Sequence, residues 1–265
     1  MTDLSNRTAI VTGGLSGMGL AIATALTRAG AAVAVGSRSV TGNEDTRYAA
    51  ELDQLRAAGR PVHAAPLDVT DQASIDAFVA GAEQAVGRAD ILVNAAGMTR
   101  EQPVCGHSDA VWNDILDTNL TGAFRMTRAL LPTMIENRFG RIVNIGSTAA
   151  TVGWADNPAY CASKAGLLGL TRCVALEGAA HGVNCVMVSP TWVETDLMRR
   201  DVEEIVEREG KGRSFDQAMS DIAEENPQKR IIQPQEIADV VTFLCGDAPR
   251  GLTMENIQVT GGALW

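Results

Sequence analysis

Seven short apolar runs punctuate this sequence: Thr8–Val11, Ala32–Gly36, Val62–Leu67, Ile91–Asn94, Arg141–Ile145, Val183–Val188 and Ile257–Val259. Each is too short for a stable helix, and its apolar character is nearly continuous, as in a strand buried on both faces. The stretches between them carry apolar residues at three-and-four spacing, for instance Val111, Ile115, Leu116, Leu120 and Phe124, which is the pattern of an amphipathic helix. Strand alternating with helix requires a parallel sheet covered on both faces, because each crossover must return on one side or the other. The sequence therefore predicts an α/β chain with a seven-stranded parallel sheet flanked by helices. No internal repeat or low-complexity linker divides residues 1–265, so one domain is expected.

The first strand runs into Val11-Thr12-Gly13-Gly14-Leu15-Ser16-Gly17-Met18-Gly19, and a helix is predicted over Leu20–Ala29. Glycines at a strand-to-helix turn let the backbone bend sharply and approach a pyrophosphate, which the free N–H groups of the helix N-terminus then bind. The same glycines would serve a purely structural turn, but the strand–turn–helix context favours a dinucleotide and a doubly wound, Rossmann-type domain. Gly13, Ser16, Gly17, Met18 and Gly19 are the candidate contacts. The Thr-Gly-x-x-x-Gly-x-Gly spacing resembles that of the short-chain dehydrogenase/reductase family, in its single-domain branch. The resemblance runs from Arg7 to the C-terminus.

The second strand ends in Ser37-Arg38, where an NAD-specific site places a carboxylate for the ribose 2′-hydroxyl. A hydroxyl followed by a guanidinium suits a 2′-phosphate instead, so NADP(H) is expected ahead of NAD(H). Arg38 could also stack on the adenine or stand as a surface cation. The resemblance implies that Asp68, with Val69, meets the adenine. Asp68 is equally able to cap the following helix, a task that Thr70 or Asp71 could share. Asn94-Ala95-Ala96-Gly97 is similar to the family's Asn-Asn-Ala-Gly, and implies cofactor contacts at Asn94, Ala95 and Gly97. In Ser189-Pro190-Thr191-Trp192-Val193-Glu194-Thr195 the family's Pro-Gly is Pro-Thr. Pro190, Val193 through its backbone, and Thr195 are the implied contacts to the nicotinamide end.

Tyr160 and Lys164 stand four apart, on one face of a helix, thirteen residues after Ser147. A tyrosine ordinarily titrates near ~10, and an adjacent ammonium favours its phenolate. The pair is thus predicted to supply an acid/base with a lowered pKa. Ser147 falls just past a strand's C-terminal end, where open α/β sheets bind ligands. Asn119 lies mid-helix in an apolar pattern and needs buried partners. Asn119, Ser147, Tyr160 and Lys164 match the family's catalytic set. That resemblance implies hydride exchange between a nicotinamide and a ketone or secondary alcohol, with Ser147 holding the substrate oxygen and Tyr160 passing the proton. Lys164 would bind the nicotinamide ribose, and Asn119 would hold a water linking Lys164 to solvent. An NAD-dependent alcohol or hydroxyacid dehydrogenase is the alternative. A non-catalytic dinucleotide sensor would be expected to lack one of the four.

Residues 194–225 carry eleven acids against five bases, and read either as a solvated helix pair or as a substrate lid. Trp154, Trp192 and Met198 are candidate substrate contacts, although either tryptophan could be a core residue. The formal charge of −10 argues against nucleic acid and anionic membranes as partners. The five scattered cysteines point to reduced thiols and a cytoplasmic setting, and three dispersed histidines offer no metal site. The family pairs subunits through two long helices and the last strand. Gln258–Ala263 resembles that closing segment, which implies a homotetramer or homodimer.

Overall fold

A computed structural model describes residues 2–210 and 212–263. All seven predicted strands form: β1 (Thr8–Thr12), β2 (Ala32–Ser37), β3 (Val62–Pro66), β4 (Ile91–Asn94), β5 (Gly140–Ile145), β6 (Val183–Pro190) and β7 (Asn256–Val259). They make one sheet in the order β3-β2-β1-β4-β5-β6-β7, and every pairing is parallel. The order reverses between β1 and β4. Connections leaving those two strands diverge to opposite faces and open a crevice at their C-terminal ends.

Alternate side chains of each strand enter different cores, as a period of two demands. Ala9, Val11, Val33, Val35, Ile91, Val93, Val143 and Ile145 face one layer. It is built from α1 (Gly17–Arg28), α2 (Ala49–Arg56) and α9 (Pro234–Leu244). Ile10, Ala34, Leu92, Ile142 and Cys185 face the other. There α3 (Gln72–Val86), α5 (Gly122–Glu136) and α6 (Pro158–Ala179) pack. Ile22 and Leu26 on α1 are wholly buried, each worth about 1.5–3 kcal/mol in removal from water.

The helix ends follow local chemistry. Pro158 and Pro234 occupy first turns, where a missing N–H costs nothing. Gln233 and Glu236 close a reciprocal capping box on α9. The helix over the glycine turn begins at Gly17, three residues before the predicted start.

The acidic segment forms α7 (Asp196–Glu209) and α8 (Phe215–Glu225). Met198, Val202 and Ala218 are buried in a small cluster of their own, with Trp192, Val206, Phe215 and Ile222 against it. The pair thus has a private core beside the main domain. No helix among the described residues is long and apolar enough to cross a membrane.

Candidate active site

The glycine turn forms one wall of a cleft of about 530 Å3 at the β1/β4 reversal. Gly13 has φ +66°, and a Cβ there would press on Ala96 Cα at 3.1 Å. A Cβ on Gly19 would lie 2.2 Å from the Gly13 carbonyl oxygen, a distance that no side chain tolerates. Side chains are therefore excluded at these two positions, and an extended ligand can lie against the backbone there. Ser16 precedes α1 without capping it, and no acid occupies the first turn. Its N-terminal N–H groups keep their affinity for an anion. Thr12 Oγ1 accepts from the backbone of both Ala95 and Ala96 at 3.0 Å. This bond fixes the end of β4 beside the turn, a part that no sequence motif marks.

Ser37 and Arg38 line the far end of the cleft with Asp68 and Val69. The Asp68 carboxylate accepts from the Thr70 backbone and hydroxyl at 2.9 and 2.7 Å. Burial opposes its ionisation, but those bonds and the charges of Arg38 and Arg125 hold its carboxyl below the usual range. Capping of α3 falls to Asp71, which accepts from Ala73. The two tasks are thus divided, and Asp68 faces the cleft.

Ser16, Met18, Ala95, Gly97 and Thr195 also line the cleft. Asn94, Pro190, Val193, Tyr160 and Lys164 do not. The Asn94 side chain turns into the sheet, donating to Asn144 Oδ1 at 2.8 Å, while Asn144 donates to Thr171 on α6 at 2.9 Å. A strand's alternation forces this inward direction on Asn94. Pro190 and Val193 are buried, and the Val193 carbonyl accepts from Thr195 Oγ1 at 3.3 Å.

Ser147 directly follows β5 and caps the short turn Thr148–Ala150, accepting from Ala149 N at 3.1 Å. Its hydroxyl also acts on the Tyr160 phenol, drawing its pKa downward. Lys164 is buried and donates to the Ile145 carbonyl at 2.8 Å. Its Nζ stands 5.6 Å from the centre of the Tyr160 ring. A Cβ on Gly97 would meet Asn119 Oδ1 at 3.4 Å and Lys164 Nζ at 3.8 Å. One glycine of the cleft therefore abuts two of the four predicted catalytic residues.

Asn119 does not sit in a continuous helix. α4 (Asp109–Leu116) joins α5 through a π turn at Asp117–Thr121, where the Gly122 N–H reaches back five residues to Asp117. Such a turn holds one extra residue and rotates the facing of the next helical turns. The Asn119 amide donates to the Met98 carbonyl at 2.9 Å and to Ser163 Oγ at 3.1 Å, and its oxygen accepts from Met98 N at 2.8 Å. Its side chain thereby clamps the loop after β4 onto α6.

The electrostatics oppose the predicted lowering of the Tyr160 pKa. Burial pushes the phenol up to about 12, against the downward pull of the Ser147 hydroxyl. Burial also brings Lys164 down to about 8. Removal from water penalises the charged form of each, and at their separation the ammonium does not overcome it.

Trp154 and Trp192 stack on one another with ring centres 5.6 Å apart and planes 21° from parallel. Met198 is only 3 % exposed and belongs to the private core of α7 and α8, so it packs inside that helix pair and not against a pocket. Arg200, which sequence reasoning missed, lines the cleft from α7 together with Leu197. No local motif marks Arg200, because the tertiary path of the segment brings it there.

The sheet order, the glycine cradle and the Ser–Tyr–Lys group beside it define a dinucleotide-binding α/β oxidoreductase. The profile of the short chain dehydrogenase family matches residues 7–205, and the chain belongs to that family. It is thus an oxidoreductase of CH–OH/C=O groups. It is 37 % identical over 260 residues to 3-oxoacyl-(acyl-carrier-protein) reductase FabG of Salmonella typhimurium, covering 98 % of each chain. It is 34 % identical over 266 residues to 2,3-dihydro-2,3-dihydroxybenzoate dehydrogenase of Bacillus subtilis, covering 98 % of this chain and 97 % of that one. A solved variant of actinorhodin polyketide ketoreductase with NADPH superposes with a TM-score of 0.91 at 35 % identity, covering 100 % of this chain and 99 % of the other.

Proposed function

We propose that the chain reduces a ketone with NADPH as hydride donor, and that Tyr160 delivers the proton. One observation carries this reading: a phenol held protonated by burial stands with the Lys164 Nζ 5.6 Å from its ring centre, where Gly97 closes the cofactor cleft. The backbone cradle at Gly13 and Gly19 fits a dinucleotide, and the bound nicotinamide would supply the hydride. Ser147 positions the substrate oxygen and stabilises charge developing on it. Tyr160 protonates that oxygen, a favourable transfer because an alkoxide is a far stronger base than a phenolate. Oxidation of an alcohol would instead require Tyr160 to begin as a phenolate, which burial disfavours. Lys164 orients the nicotinamide ribose, and Asn119 holds the β4 loop and α6 in register.

Ser37, Arg38 and the lack of a carboxylate at the end of β2 support NADP(H) over NAD(H). The similarity to FabG, a 3-oxoacyl reductase, and to a ketoreductase solved with NADPH agrees with a ketone substrate and with that preference. The Trp154–Trp192 stack provides an apolar wall for the substrate, with α7 and α8 as its lid. Self-association is supported by two exposed apolar surfaces. One presents Phe124 on α5 and Leu176 on α6, at 42 and 66 % exposure, and the other presents Phe243, Leu252 and Met254 near β7. Paired through both, four copies would form a homotetramer.

A ketone and secondary-alcohol panel, followed at 340 nm with NADPH and NADH, tests the reading. Tyr160→Phe is expected to lose at least about 100-fold in turnover, the scale of general acid catalysis, while still binding cofactor. Unchanged turnover in that variant would exclude Tyr160 as the proton donor.

A further inference from the structure

The first turn of α7 crosses the glycine-rich turn. A Cβ on Gly17 would meet Thr195 Cγ2 at 3.3 Å, so the start of α7 rests on the N-terminus of α1. Arg200 lies one turn further along and lines the same cleft. Its Nε donates to the Asp196 carbonyl at 3.2 Å, which turns the guanidinium back toward Thr195 and leaves four N–H groups unspent.

Two neighbouring arginines are treated differently. Arg199 is paired with Glu194 at 2.6 Å, whereas no carboxylate among the described residues lies in ion-pair reach of Arg200. Arg38 and Arg200 are the cations lining the cleft, and Asp68 and Asp196 are the carboxylates. Asp68 is engaged by Thr70 at the Arg38 end. A segment with six more acids than bases thus brings a guanidinium with no ion-pair partner among the described residues to the cleft that the uncapped N-terminus of α1 also lines.

We infer that Arg200 binds the diphosphate of the dinucleotide, opposite the N–H groups of α1. This inference rests on the proposed cofactor cleft and adds a residue from the lid to it. A diphosphate held between a helix N-terminus and a guanidinium gains charge-assisted hydrogen bonds from both sides. The contact also ties α7, which roofs the substrate side, to the presence of cofactor. Arg38 serves the adenosine ribose and distinguishes the two cofactors. Arg200 serves a group they share, and does not.

The test is a fluorescence titration of the intact protein with NADPH and with NADH, free of substrate. Arg200→Gln is expected to raise both dissociation constants by about tenfold, the scale of one charged hydrogen-bonding group, and by the same factor for each. Arg200→Lys, which keeps the charge without the fork, is expected to fall between Gln and wild type. Unchanged affinity for both dinucleotides would overturn the inference, whatever happened to the KM of substrate. So would a loss confined to NADPH, which would move Arg200 to the 2′-phosphate. Failure of the wild-type protein to bind either dinucleotide would overturn the oxidoreductase reading as well. Binding by wild type that Arg200→Gln leaves intact would sink the Arg200 assignment alone.

Discussion

Lys164 carries a conflict between stability and chemistry that an unfolding experiment can measure. Burial lowers its pKa from 10.5 to about 8, and each unit corresponds to about 1.36 kcal/mol. At pH 7 the folded protein therefore holds an ammonium at a penalty of about 3 kcal/mol relative to the unfolded chain. Lys164→Met removes the penalty but leaves the Ile145 carbonyl, now accepting from Nζ at 2.8 Å, without a partner, at about 1–3 kcal/mol. The two nearly offset at neutral pH, so pH dependence is the sharper readout. Below pH 8 both states of wild type are protonated and the penalty is constant. Between about 8 and 10.5 the folded lysine is neutral while the unfolded one still binds its proton, so wild-type stability rises with pH. The methionine variant lacks this contribution. Urea unfolding of both proteins from pH 7 to 10.5 should show wild type gaining about 3 kcal/mol on the variant. A gap that stays constant over that range would refute the argument that burial depresses Lys164.

Other outcomes hang on single contacts. Gly19→Ala places a methyl 2.2 Å from the Gly13 carbonyl oxygen and is expected to abolish dinucleotide binding, as read by calorimetric titration, while circular dichroism stays α/β. Arg38→Leu is expected to weaken NADPH by about 10-fold or more and to leave NADH within about twofold; equal losses would place Arg38 away from the 2′-phosphate. Met198→Ala opens a cavity in the private core of α7 and α8, at about 2–5 kcal/mol. Hydrogen exchange should then accelerate in that helix pair before it does in the sheet.

Legibility in the sequence differs by element. The strands are legible because the central ones are covered on both faces and therefore nearly continuously apolar over a short run. The glycine turn is legible because backbone conformation dictates residue type there: Gly13 and Gly17 both have positive φ. The spacing of Tyr160 and Lys164 is legible because a helix converts four residues into one face. Less is visible where residue type depends on three-dimensional surroundings. Asn94 reads as a cleft residue by motif, but strand alternation sends its side chain to Asn144. Met198 reads as a pocket wall, but it is buried in the small core between α7 and α8.

The π turn at Asp117–Thr121 shows the same limit. Val111 to Phe124 has the apolar spacing of one helix, and no residue in it breaks a helix. The close approach of α5 to the loop after β3 decides otherwise: a Cβ on Gly122 would stand 2.7 Å from Val69 Cγ2. The chain absorbs one extra residue just ahead of it.

Local periodicity and local backbone geometry were enough to specify the architecture and the anion-binding turn, and the resemblance to a family pattern singled out the Ser, Tyr and Lys group. The direction of the Tyr160 and Lys164 pKa shifts, the inward turn of Asn94 and the arrival of Arg200 over the cleft came only with the folded chain. Those depend on burial and on which distant segments meet, and neither solvent exclusion nor through-space charge exists until the chain is packed.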